Sequence, residues 1–406
     1  MTNSYLIRGG VVYDGKGGAP KRVDVRVVGS TIQEVGPRLP TSGATVIDAA
    51  GLLVTPGLID LHAHVFTGMG QFAIAPEQAG LRTGVTTLLD TGTAGALTYP
   101  AFEKLVIDHA REDIFALLNI SIIGCLQGHP KVPPYMGELS DIRYAHAPSA
   151  IECLRRFRDN GRLIGMKARL TKGLASNLPK NERAGFYGAR EAARKTGTML
   201  MVHHVNSAIP PKEMLDNLRR GDIVTHLYHP HPSSAFEKRD RSPSKALRKA
   251  RDRGVMMDVG HGVGSFGWNV AEPACQEHGF WPDTISTDIH AFNLYGPVYD
   301  LPTTLSKFLH LGMPVAKIIR AATYAAAKAM RLEDRFGLIA RGRQADITLL
   351  RIEEGNFQLE DILGEVRVAP RRFVPVAVLK KGAYHPCQRP DAQEQVHPVK
   401  LILPRP

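Results

Sequence analysis

The chain has 406 residues, 43% hydrophobic and 22% charged, a globular balance that excludes disordered, collagen-like and coiled-coil proteins. A net charge of +12 suits an anionic partner, but the densest basic run, Lys238 to Arg253, also carries Asp240 and Asp252 and no aromatic residue. That run reads as a solvated helix face, so a small anionic molecule is the expected partner and nucleic acid is not.

Residues 5–54 alternate short β-rich runs with turn signals, as in Val23 to Val28 before Gly29 and Thr31 to Val35 before Gly36. Two later runs, Ala345 to Leu350 and Val374 to Leu379, match them in character. The two ends are therefore expected to pair into one composite β-sandwich, 1–54 with 335–385, leaving 386–406 as a polar tail. The middle, 55–334, behaves differently. Apolar runs begin at Gly57, Val85, Ile114, Leu163, Met199, Asp222, Val255 and Thr284, with helix-like segments between them such as Ser149 to Asn160 and Glu182 to Lys195. Strands alternating with helices imply a parallel sheet, and this number of units implies an α/β fold of the (β/α)8 TIM barrel type. A doubly wound open sheet is the rival, but no Gly-rich phosphate loop follows the first run.

Four scattered cysteines, Cys125, Cys153, Cys275 and Cys387, have no paired spacing, which excludes a disulfide framework and a Cys-ligated zinc site. The longest apolar run, Ile114 to Leu126, is short and interrupted by Asn119 and Ser121, and the start, MTNSYLIRGG, lacks a signal-peptide pattern. A cytoplasmic protein that meets no membrane is the expectation.

Most apolar runs end in a residue able to bind metal or move protons: His62-Ala63-His64, Lys167, His203-His204, His226 and Asp288. In a barrel the C-terminal ends of all strands meet at one mouth, so these side chains are expected to meet too. His62 and His64 are two apart on an extended segment and point to the same side, a spacing that suits two imidazoles on one cation.

Val46-Ile47-Asp48-Ala49-Ala50-Gly51 followed by Val54-Thr55-Pro56-Gly57-Leu58-Ile59-Asp60-Leu61-His62-Ala63-His64 resembles the opening signature of the amidohydrolase superfamily. Gly337 to Ile347 resembles that family's return into its β-sandwich, so the resemblance runs from about Tyr5 to Leu379. It implies a barrel plus composite sandwich with a hydrolytic metal centre at the mouth. By resemblance, Lys167 matches the lysine that becomes N6-carboxylated by CO2 in binuclear members. A lysine in an apolar strand loses its charge readily, and its neutral amine can take up CO2. The alternative is an unmodified lysine paired to a carboxylate. His203 and His226 then serve a second metal; His204 competes with His203, but adjacent strand residues face opposite sides. Asp288 matches the strand-eight aspartate that touches a metal and carries the catalytic proton. The implied cofactors are two divalent ions, zinc first by donor type, which would activate a bridging water and polarise the scissile carbonyl.

The segments around Lys167, His203 and His226, with Asp258-Val259-Gly260-His261-Gly262, resemble the deacetylase-like group rather than the dihydroorotases and hydantoinases. The expected reaction is therefore cleavage of an amide or ester of a small acylated carboxylic acid. Ring opening of a cyclic amide is the alternative, and a non-catalytic scaffold of the same fold is a third reading. Arg169, on the same strand face as Lys167, is expected either to clamp a substrate carboxylate or to make a structural ion pair. His261 either contacts substrate or sits in a simple turn; His290, His229 and His231 are further mouth-side candidates. Tyr228 and Trp268 are expected to line an acyl or aryl pocket, and Leu126 to Tyr135 to form part of a lid. A homo-oligomer is the expectation from the family.

Overall fold

A computed structural model of the chain describes residues 4–126 and 137–388. Most of the expected Leu126 to Tyr135 loop, most of the expected tail and the first three residues lie outside them. Seven parallel strands form one curled sheet in which sequence neighbours are also spatial neighbours. They are β1 (Leu58–Ala63), β2 (Val85–Gly95), β3 (Asp113–Asn119), β4 (Leu163–Leu170), β5 (Met199–His204), β6 (Ile223–Thr225) and β7 (Met256–Met257). β1, β2 and β3 are buried along their whole length, as a parallel sheet covered on both faces requires, which is why apolar residues do not alternate strictly with polar ones along them.

The eighth expected strand, Thr284 to Asp288, differs from expectation. It has no ladder of its own and closes the barrel by single parallel bridges, Asp258 to Thr284 on one side and Ala63 to Ile289 on the other. Side chains reinforce these bridges. Asp60 accepts the Thr287 N–H at 3.0 Å and the Thr287 hydroxyl at 2.5 Å; Asp258 accepts the hydroxyls of Thr284 and Ser286, each at 2.7 Å. These carboxylates add to scattered backbone bonds, with Gly262 N–H donating to Thr287 O at 2.8 Å on one side and Asp288 N–H to His62 O at 2.6 Å and His64 N–H to Ile289 O at 3.0 Å on the other, and the curled sheet becomes a TIM barrel.

Helices wrap the outside. α1 (Ala147–Arg156) buries Ala150, Ile151, Cys153 and Leu154. α2 (Pro179–Thr196) begins with proline, whose missing N–H costs nothing at that position, and ends at Gly197 in the left-handed region, φ 71°. α3 (Lys245–Asp252) is capped by the Ser244 hydroxyl and buries only Leu247 and Ala250, so the basic run is a solvated helix face. No helix among the described residues is long and apolar enough to cross a membrane.

The chain ends form two further sheets. One orders Thr31–Gly36, Asp24–Val28, Ser4–Arg8 and Thr45–Asp48; the other orders Ala383–Pro386, β9 (Val366–Lys380), β8 (Ile347–Glu360), Leu53–Pro56 and Val11–Val12. Ile7, Val25, Val27, Ile32 and Val54 share one core with Ile347, Leu349 and Leu379, so both ends build one composite sandwich. Each such side chain contributes about 1.5–3 kcal/mol by leaving water, a gain neither end obtains alone. The β8–β9 hairpin is longer than its apolar pattern suggests. Its far part crosses onto the barrel, where Leu359 O accepts from Trp268 Nε1 at 3.2 Å and Phe373 N donates to Ser306 at 2.9 Å.

Candidate metal centre

Strand ends deliver the predicted side chains to one mouth. His62 on β1 and His64 just beyond it each place Nε2 3.1 Å from Asp288 Oδ1. His226, following β6, places Nε2 3.9 Å from Asp288 Oδ2. The rings of His62 and His226 lie 5.0 Å apart, and those of His203 and His226 4.2 Å apart. Lys167, in the middle of β4 and fully buried, brings Nζ to 3.1 Å from His62 Nε2 and 3.4 Å from Met201 Sδ. Among the described residues it has no ion pair with a carboxylate, so the salt-bridged alternative is not what the structure contains. Gly92 makes room for it: a Cβ there would lie 2.8 Å from the Cβ of Lys167, and its φ is 89°.

His204 faces away from the mouth, its Nε2 2.7 Å from Ile209 O, while His203 meets Thr171 Oγ1 at 2.9 Å. The alternation along β5 thus separates the two as strand geometry demands.

The backbone is strained at two of these positions. His226 has φ 63° and Asp288 φ 53°, left-handed values that side chains other than glycine seldom adopt. Such conformations cost about 1–2 kcal/mol each and cluster where function holds them. Gly262 leaves room for Asp288: a Cβ there would lie 2.6 Å from Oδ2.

Burial lowers His62 well below the usual imidazole range, with Lys167 adding to the effect; burial lowers His226 to about 4, against the pull of Asp288. Both rings are therefore neutral near pH 7, the form that binds a cation. Burial alone would raise Asp288, but the surrounding histidines, led by His62, hold it well below the usual carboxylate range. Burial lowers Lys167 to about 8.

The donors fit a divalent cation. Asp288 Oδ1 and His226 Nε2 are buried yet have no hydrogen-bond partner. The His62 and His64 nitrogens sit near Oδ1 without hydrogen-bond geometry, as groups aimed at a shared point between them would. His62, His64 and Asp288 each offer a ligand atom, all within 4.8 Å of one another. Nitrogen and oxygen donors of this kind suit zinc, manganese, cobalt or iron.

The other expected residues divide. His290 stacks on Phe72 at 4.3 Å, and Phe72 also meets His64 at 4.5 Å. Arg169 lies over the same Phe72 ring at 5.3 Å and makes the structural ion pair, NH1 to Glu138 Oε2 at 3.1 Å, with Cys125 Sγ at 2.6 Å. His261 stacks on Phe266 and has both nitrogens engaged: Nδ1 with Gly262 O at 2.9 Å, Nε2 with the buried Lys307 amine at 2.5 Å. His231 reaches Gly264 O at 2.9 Å, and His229 is buried. Tyr228 and Trp268 correct the pocket expectation. Both are fully buried core, their polar atoms bonded to the carbonyls of Phe280 and Leu359, because an aromatic with a satisfied hydroxyl or indole packs as well as phenylalanine.

Several participants were not foreseen. Thr225 Oγ1 touches His62 Nδ1 and donates to Asp258; Thr93 Oγ1 touches His64 Nδ1 and donates to Asp90. A threonine directly before His226, and an Asp-x-x-Thr at the end of the second run, were the available signals.

Comparison with known proteins agrees with this architecture. Residues 53–383 match the model of the amidohydrolase family. A curated protein named deacetylase Atu3266, from Agrobacterium fabrum, is 31% identical over 369 residues, covering 89% of this chain and 86% of that one. A solved adenine deaminase superposes with a TM-score of 0.84 at 27% identity, covering 95% of this chain and 100% of that one. A solved dihydroorotase gives 0.83 at 29% identity, covering 95% and 98%.

Proposed function

The chain belongs to the amidohydrolase family and is a metal-dependent hydrolase of C–N bonds, and from that premise we propose that it removes the acyl group from a small acylated carboxylic acid. N-acyl amino acids and acyl hydroxy acids are the substrate classes. The observation that carries this reading is the gathering of His62, His64, Lys167, His203 and His226 around Asp288 at the barrel mouth.

His62, His64 and Asp288 would hold one divalent ion, and His203 and His226 a second, with zinc the first choice. Lys167 would join the two as a carbamate. Its amine is buried, lacks a carboxylate partner among the described residues and sits near 8, so the neutral form is accessible. That amine nitrogen adds to the carbon of CO2 and releases one proton, leaving an anionic oxygen ligand. The carbamate and Asp288 would then offset half the positive charge of two divalent ions held by neutral imidazoles. Bound there, the ions lower the pKa of a water towards neutrality and polarise a carbonyl.

Asp288 accepts the proton of the attacking water and returns it to the leaving nitrogen or oxygen as the acyl bond breaks. Its neighbours keep it ionised. Arg169 and His290 border the Phe72 ring beside His64; we assign His290 to the wall that meets the anionic end of the substrate, and Arg169, held by Glu138, to the support of that wall. His261, with both nitrogens engaged, is left out of that wall.

The deacylase reading is supported by the relative named a deacetylase, aligned over most of both chains. Cyclic-amide opening is the second reading, favoured by the solved dihydroorotase, whose structure superposes as well as any reported above except the adenine deaminase. A panel of N-acyl amino acids, acyl hydroxy acids and cyclic ureides separates them on the zinc-loaded enzyme. Release of acid from the acyl compounds is expected; turnover of the cyclic ureides alone would overturn the reading.

A further inference from the structure

The histidines at the mouth do not all meet their outer partner through the same nitrogen: His62, His64 and His226 do so at Nδ1, His203 at Nε2. A neutral imidazole carries one proton, so the nitrogen that donates leaves the other bare. A threonine hydroxyl also has one proton, and once it is given to an acceptor the oxygen can only accept.

Three threonines meet that condition. Thr225 donates to Asp258 Oδ2 at 2.8 Å and faces His62 Nδ1 at 2.9 Å. Thr93 donates to Asp90 Oδ2 at 2.7 Å and faces His64 Nδ1 at 2.8 Å. Thr171 donates to the carbonyl of Val205 at 2.9 Å and faces His203 at Nε2, also at 2.9 Å. The acceptors are themselves held. Asp90 takes the N–H groups of Val65 at 2.8 Å and Thr93 at 2.9 Å, and Asp258 takes the hydroxyls of Thr284 and Ser286. His226 needs no hydroxyl, because Nδ1 meets the Gly260 carbonyl at 2.6 Å and a carbonyl can only accept.

We propose that Thr93, Thr171 and Thr225 are positioning residues that set the tautomers of the mouth histidines, each hydroxyl holding the ring proton on the nitrogen it touches and leaving the opposite nitrogen bare. His62, His64 and His226 then present Nε2 to the centre, and His203 presents Nδ1. The odd contact of Thr171, at Nε2 rather than Nδ1, makes His203 the exception. The inference rests on the metal-centre reading for its purpose, but the tautomers are properties of the protein alone.

Nitrogen-15 spectra of the full-length, metal-free protein with labelled histidine distinguish the two tautomers, and competition with a chelator gives zinc affinity. In the unaltered chain His62 is expected as the Nδ1–H form and His203 as the Nε2–H form. Thr225→Val should move His62 towards the Nε2–H form and weaken zinc binding about 10–100-fold, while Thr225→Ser, which keeps the hydroxyl, should preserve both. Thr171→Val, at the half-buried His203, should shift that ring alone and serves if the first variant does not fold. A Thr225→Val protein with the original tautomer and affinity would overturn the proposal, as would a Thr225→Ser protein that loses as much as Thr225→Val. A chain with the expected tautomers that takes up no zinc would sink the metal reading and leave this one standing.

Discussion

The two rims of the barrel treat buried charge in opposite ways. At the N-terminal rim, where the sandwich docks, Lys380 lies 2.7 Å from both Asp113 and Asp346, and Lys381 reaches Asp113 at 2.9 Å. Burial raises Asp113, but Lys380 more than offsets it and the carboxyl ends near 2. At the C-terminal rim, Asp288 Oδ1 and His226 Nε2 lack hydrogen-bond partners, and both residues hold left-handed backbone. One rim satisfies its charges and stabilises the fold. The other keeps groups unsatisfied and strained, which is tolerable only where something else is meant to bind.

Changes at the mouth should therefore harm turnover far more than folding, and changes at the opposite rim the reverse. Asp288→Asn keeps the shape and tolerates φ 53°, but removes the proposed proton acceptor. It should lower kcat by about 10²–10⁴-fold without lowering the Tm of the metal-free protein; equal losses in both would erase the contrast. Gly262→Ala would press a methyl against Asp288 and demand a left-handed alanine. A loss near 10²-fold in kcat/KM is expected from the displaced carboxylate, with about 1 kcal/mol of stability lost.

Asp113→Asn should do the opposite, costing about 3 kcal/mol in denaturant unfolding with kcat unchanged. The pH dependence follows the same pair. A carboxyl held below its unfolded value contributes stability that is complete above about 4 and disappears as pH falls through about 2. The unaltered protein should lose that increment in acid, and Asp113→Asn should not.

The architecture was largely legible because parallel strands buried on both faces leave runs rich in apolar residues, and most of the runs end where the barrel places its chemistry. Seven of the runs became strands. The eighth, Thr284 to Asp288, did not become a regular strand: it meets its neighbours through isolated bridges and scattered backbone bonds, reinforced by the Asp60 and Asp258 side chains. Side-chain pairings across long separations were the hidden part. Nothing near Arg169 in the sequence announces Glu138, and nothing near Trp268 announces Leu359 on a distant hairpin. Tyr228 and Trp268 therefore read as pocket residues when they are core. The threonine contacts behind His62 and His64 were hidden for the same reason: one hydroxyl carries no periodicity.

Metal content per chain, measured after growth with bicarbonate, tests the central claim most directly. Gathered as they are, the six side chains predict about two ions on the unaltered protein and loss of that pair, with activity, in Lys167→Ala. One ion retained at full activity in Lys167→Ala would contradict the shared centre and reduce the account to a single site at His62, His64 and Asp288.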